Sequence, residues 1–155
     1  MHRNLDVMPM KSFWMVVLVC FFSGCGSDGP PEEVLEQVKG SVRIAGKPTE
    51  GVTVIFTPKS GTSGTGGFGF TDSEGNYSLL HRSQKPGVPV GEYSVTFSRF
   101  LKPDGSPVPK DQSPTMSGGR ESIPPMWSNI AAAGSHNTAT VKSEPNSIDF
   151  ALPAK

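Results

Sequence analysis

From Val38 onward, apolar and polar residues alternate in short runs, and each run is closed by Gly, Pro, Asn or Asp. In Val38–Ile44 the alternation puts Val38, Val42 and Ile44 on one face of a strand, with Gly40 between them. Ala45-Gly46-Lys47-Pro48 then reads as a turn, and Val52–Thr57 as a second strand with Val52, Val54 and Phe56 facing inward. Phe68–Thr71 predicts a third strand. The turn Asp72-Ser73-Glu74-Gly75 leads into a fourth at Asn76–Leu80. Glu92–Phe97 alternates cleanly, with Tyr93, Val95 and Phe97 inward, and Thr138–Val141 and Ser147–Leu152 complete the set. No window shows a helical period. Seven short alternating strands with frequent turns predict an all-β fold, a seven-stranded antiparallel β-sandwich.

Two stretches break this rhythm. Residues 99–137 are rich in Pro, Ser and Gly and poor in β-branched side chains, so they predict one long loop, either functional or disordered. At the other end, Phe13–Phe22 is an unbroken apolar run of ten behind Arg3 and Lys11. As a helix it would span roughly 15 Å, about half of a bilayer's hydrocarbon core, which suits the apolar region of a signal peptide better than a membrane span. The run ends in Phe22-Ser23-Gly24-Cys25, which resembles the lipobox of bacterial lipoproteins, with Phe22 where Leu is usual. That resemblance implies cleavage after Gly24 and lipidation of Cys25. Gly26, not Asp, follows the cysteine, which by the same resemblance favours the outer membrane of the cell envelope.

Cysteine usage agrees. Cys20 lies inside the apolar run and would leave with residues 1–24, so Cys25 would be the sole cysteine of the mature chain and no internal disulfide is possible. Acylation would also remove a lone thiol from an oxidising compartment. Residues 25–37 then form the lipidated N-terminus and a polar tether with Pro30-Pro31 and three Glu, and the domain proper runs from 38 to 155. Lys+Arg and Asp+Glu are balanced at 14 each, with no long basic run, which argues against nucleic acid as a partner.

The strand pattern carries a sequence frame. It reads Val38-x-Gly40-x-Val42, Gly46-x-Pro48-x-x-Gly51-Val52-x-Val54-x-Phe56, Thr71-Asp72-x-x-Gly75-x-Tyr77 and Gly91-x-Tyr93-x-Val95. Ile123-Pro124-x-x-Trp127-Ser128-Asn129 and Asn146-x-Ile148-x-Phe150-x-Leu152 extend it more loosely. The frame resembles the carboxypeptidase regulatory-like domain, a transthyretin-like (prealbumin-like, broadly immunoglobulin-like) sandwich found in exported proteins, including short bacterial lipoproteins. That resemblance implies a module that binds or stabilises and does not catalyse. Fold alone does not fix function.

Candidate chemistry is sparse. Gly64-x-Gly66-x-x-Gly69 matches a dinucleotide fingerprint as a string but runs into a strand, where the motif requires a helix N-terminus. Asp72-Ser73-Glu74-Gly75-Asn76 offers alternate oxygens like a calcium loop, yet the twelfth position from Asp72 is Ser83, not Glu. The mature chain holds two Tyr (Tyr77, Tyr93) and two His (His81, His136), the ligand types of intradiol dioxygenase iron. Those enzymes use close-spaced pairs around a cleft, whereas Tyr93 alternates inward here and His136 lies in a polar loop. No metal and no cofactor are therefore expected. The C-terminal Leu152-Pro153-Ala154-Lys155 lacks the signature of the transthyretin-like purine-pathway hydrolase, and no Ser/His/Asp set stands out.

The remaining lead is Trp127, outside the regular strands beside Pro125, Met126 and Asn129. It is either a ligand contact or a lid folded back on a small core. The expectation is a non-enzymatic, lipid-anchored envelope protein whose sandwich binds or supports a partner, an envelope protein or a glycan. The alternative is a carbohydrate-binding module that uses the 99–137 loop.

Overall fold

The computed structural model describes residues 33–133 and 137–154. The expected signal peptide, the lipidation position Cys25 and His136 lie outside the described residues. The elements are β1 (Val38–Ile44), β2 (Lys47–Pro48), β3 (Thr53–Pro58), β4 (Gly67–Phe70), β5 (Asn76–Ser78), β6 (Leu80–His81), β7 (Gly91–Ser98), β8 (Phe100–Leu101), β9 (Arg120–Glu121), the helical turns α1 (Pro125–Ser128) and α2 (Ile130–Ala133), β10 (Thr138–Val141), β11 (Asn146–Ser147) and β12 (Phe150–Leu152). The fold is all-β apart from those two turns.

Two five-stranded sheets carry the architecture among the described residues. In one, β3 lies at the centre of the order β10-β7-β3-β4-β6, with antiparallel neighbours throughout. In the other, β1 pairs antiparallel with β2 and β5 but parallel with β11 and β12, so the expectation of wholly antiparallel pairing does not hold. The parallel ladders arise because the chain returns to β1 after the long excursion through β10, not through a hairpin.

One core serves both sheets. Val54 and Phe56 of β3, Tyr93, Val95 and Phe97 of β7, and Val38 and Val42 of β1 are all buried, as their alternation requires. Phe150 of β12 joins the layers: its ring lies 4.9 Å from Phe97, 6.3 Å from Phe56 and 6.4 Å from Tyr77.

Two expected strands split. Asn76–Leu80 becomes β5 in one sheet and β6 in the other, with Leu79 buried at the crossing. The Leu79 N–H donates to the Val38 carbonyl (2.9 Å), and its own carbonyl accepts from Gly87 (2.9 Å). The last strand breaks at Ile148–Asp149, where the Ile148 carbonyl accepts the Tyr77 hydroxyl (2.8 Å) and Asp149 Oδ1 accepts the Ser41 N–H (2.7 Å). Side chains supply the bonds the ladder loses. The Asp72 turn forms as its residues dictate: Asp72 Oδ1 accepts from the Glu74 and Asn76 N–H groups (both 2.9 Å), and Gly75 takes φ +77°.

The packed chain begins ahead of Val38. Glu36 and Val88 exchange backbone hydrogen bonds (2.9 and 3.0 Å), and the Glu33 carboxylate lies 3.3 Å from His81 Nε2.

The two tyrosines give the core a pH dependence. Burial, reinforced by the Glu33 carboxylate, pushes the Tyr93 phenol up to about 12. Burial, reinforced by Asp149, raises Tyr77 well above the usual phenol range. The unfolded chain releases these protons first, so stability is intact below about pH 10 and falls as pH rises from there through the folded-state values. Melts across that window should show the loss for wild type and a shallower one for Tyr93→Phe. Identical slopes would mean that the phenol is not held neutral by the fold.

Candidate functional site

Strand β4 reads Gly-Phe-Gly-Phe, and its alternation runs against hydrophobic expectation: Gly67 and Gly69 are the buried residues, while Phe70 is 40% exposed. The reason is steric. A β-carbon at Gly67 would lie 2.5 Å from a Val88 methyl and 2.6 Å from the Leu80 carbonyl oxygen. At Gly69 it would lie 2.6 Å from the Ser78 carbonyl oxygen and 3.3 Å from the Tyr77 ring. With glycine obligatory inside, Phe68 and Phe70 stand on the outer face, their rings 5.8 Å apart and edge to face. Cross-strand pairing sets Ile55, itself 36% exposed, opposite Phe68, and Thr53 opposite Phe70.

The segment after β7 folds beside this face and makes a cleft of about 490 Å³. Phe70 and Phe100 line it together with Pro107, Val108, Pro109 and Pro114, and Glu50, Lys110 and Gln112 contribute polar groups. The volume lies in the range of small-ligand sites, and the composition, apolar with a few polar groups, fits them too. The segment is fastened at its base. Glu121 Oε1 accepts the N–H groups of Arg99 (3.0 Å) and Ile123 (2.8 Å), and Oε2 accepts the Ser98 hydroxyl (2.5 Å). Arg99 Nε donates to the Glu50 carbonyl (2.8 Å), and Val108 N–H to the Phe100 carbonyl (2.9 Å). The expected unbroken loop at 99–137 thus contains β8, β9, α1 and α2, and of it Phe100 and the 107–114 part border the cleft.

Phe70 also borders a polar trough of about 520 Å³, lined by Lys39, Ser41, Asp72, Asn76, Ser78 and Asp149. Cleft and trough share Phe70. A third hollow of about 520 Å³ lies over Ile55, Phe68 and Arg82 and adjoins the cleft at Thr53.

Trp127 stands elsewhere. It lies in α1, half-buried and packed against the core, while α1 and α2 lie against β7. Its Nε1 is buried without a hydrogen-bond partner, and it does not line the Phe70 cleft. The phenols are not metal ligands in this arrangement: the Tyr77 hydroxyl donates to Ile148 and the Tyr93 hydroxyl to the Pro89 carbonyl (2.6 Å). His81 is buried, with Nδ1 2.8 Å from Ser83 Oγ and Nε2 3.1 Å from Thr65 Oγ1. Among the described residues no three His, Cys, Asp or Glu side chains gather as a metal site. Gly69 is followed by strand and turn, not by the helix N-terminus that a dinucleotide requires.

No family model matches the chain, and no curated protein does. Among solved structures it is similar to a 9R-lipoxygenase from Cyanothece PCC8801, at 16% identity and a TM-score of 0.34, over 79% of this chain and 18% of that one. A likeness at that level carries no argument about fold or activity.

The geometry separates two roles for Trp127. As a half-buried lid, its truncation to Ala should cost about 3 kcal/mol, the low end for large aromatics. Trp127→Phe keeps the packing and deletes an unpaired buried N–H, so it should stay within about 1 kcal/mol of wild type. Thermal melts decide; an Ala variant as stable as wild type would return Trp127 to the candidate contacts.

Proposed function

We propose that this chain is a non-enzymatic, lipid-anchored protein of the cell envelope, its β domain a transthyretin-like sandwich of the carboxypeptidase regulatory-like type that serves as a binding module. The N-terminal features support the anchor: a ten-residue apolar run, then Phe22-Ser23-Gly24-Cys25, then Gly26, which favours the outer membrane. Two acyl chains or more hold a protein stably at a membrane. The sequence frame from Val38 to Val95 supports the module type.

The observation that carries the binding role is the display of Phe70 beside the cleft. A domain this small has few large side chains for its core. Here two phenylalanines are kept outside by glycines that nothing can replace, and an ordered proline-rich segment is fastened next to them. Exposed apolar surface of this kind marks contact sites. The ligand contact moves from Trp127 to Phe70 and Phe100, and the carbohydrate reading moves with it, since the 99–137 segment still supplies one wall.

In-cell cross-linking of the full chain tests this reading. The membrane fraction should yield protein with diacylglycerol on Cys25 and a set of cross-linked envelope components that Phe70→Ala loses. An unmodified Cys25, or a captured set unchanged by Phe70→Ala, would overturn the anchor or the binding role respectively.

A further inference from the structure

We infer that the trough and cleft meeting at Phe70 form one extended glycan site, with Phe70 as the ring on which a sugar stacks; this rests on the binding-module reading and names its ligand. The surface is continuous. Phe70 lies on β4 and borders both hollows, and the trough runs from it onto Asn76, Tyr77 and Ser78 of β5. β5 in turn pairs with β1 through Ser41 and Asn76. A ligand laid across these strands passes from the cleft, over the phenylalanine, into the trough.

The chemistry of the two halves selects the ligand. A pyranose presents an apolar C–H face and a ring of hydroxyls that both donate and accept. It calls for an aromatic surface next to small hydroxyl, amide and carboxylate side chains. The trough supplies the hydroxyls of Ser41 and Ser78, the Asn76 amide and the Asp149 carboxylate, and Phe70 supplies the ring. Asp149 is fixed in place, because Oδ1 accepts both the N–H (2.7 Å) and the hydroxyl (2.9 Å) of Ser41. Lys39 sets one ammonium against the Asp72 and Asp149 carboxylates, so the trough leans acidic, which disfavours an anionic ligand and leaves carboxylates to accept hydrogen bonds from the hydroxyls of a neutral polyol.

Other ligand classes fit less well. An extended peptide docks by adding a strand to a free sheet edge. Beneath the trough, β1 is already paired on both sides, by β5 and β11. Recognition there falls to side chains. An acyl chain would need apolar walls along its whole length, and the trough half is polar.

Sedimentation of the full chain with three insoluble polysaccharides, purified peptidoglycan sacculi, chitin and cellulose, tests the inference. Wild type should be retained on at least one of them. Phe70→Ala should weaken that retention by about tenfold, the scale of one good contact. Phe70→Trp, which keeps an aromatic face, should retain binding, and so should Trp127→Phe, which lies off the site. Asn76→Ala should weaken it severalfold. Thermal melts accompany each variant; if Phe70→Ala fails to fold, the Phe70→Trp and Asn76→Ala pair decides. Retention on none of the three, or retention indifferent to Phe70 and Asn76, overturns the glycan site. If polysaccharides fail while Phe70→Ala still loses a cross-linked protein, the glycan inference falls and the binding module stands. If neither readout depends on Phe70, both fall.

Discussion

At Gly67 and Gly69 the Val88 methyl and the Leu80 and Ser78 carbonyls already occupy the space a β-carbon would need, and the rest of the functional surface follows from that exclusion. Strand residues alternate between faces without exception, so glycine inside means phenylalanine outside. The close approach also brings β4 against β5, where the chain changes sheets at Leu79. One steric constraint thereby closes the core at this edge and displays Phe68 and Phe70 on the surface. Any larger residue at the two glycines would force the strands apart, so the display is tied to the stability of the fold.

The β7 half of the same outer face is treated differently. Ser94 and Thr96, on the outward-facing side of β7, are buried, and α1 and α2 lie against that strand. The outer face of the five-stranded sheet is therefore covered on its β7 half and open on its β3–β4 half. Glu121 explains how the intervening segment can serve both ends. Its carboxylate gathers Ser98, Arg99 and Ile123 at one point, from which the chain loops out past Phe100 towards the cleft and continues on to Trp127.

Much of this was legible in the residues. Alternation located β1, β3 and β7 with their inward faces, and β10 as a strand, because half-buried strands leave that signature. Asp72 and Gly75 announced their turn through side-chain bonding and positive φ. The facing of Gly67–Phe70 was not legible. Hydrophobicity would turn the phenylalanines inward, and only the position of Val88, Leu80 and Ser78 reverses that reading. Trp127 stands out in the sequence by lying outside the regular strands beside Pro125, Met126 and Asn129, whereas Phe70 sits inside the expected strand Phe68–Thr71 with nothing local to mark its exposure. The parallel pairing of β11 and β12 with β1 was equally hidden, since register between distant strands leaves no local pattern. Glu121 gave no sign at all, because its three partners lie on either side of a long excursion.

The binding surface depends on the outward display of Phe68 and Phe70, and ring resonances in the presence of a soluble paramagnetic chelate report on it directly. Phe70 should broaden strongly and the half-buried Phe68 less so, while Phe56 and Phe97, fully buried between the sheets, should not broaden. Equal protection of all four rings would mean that β4 faces the other way, and the surface derived from it would not exist.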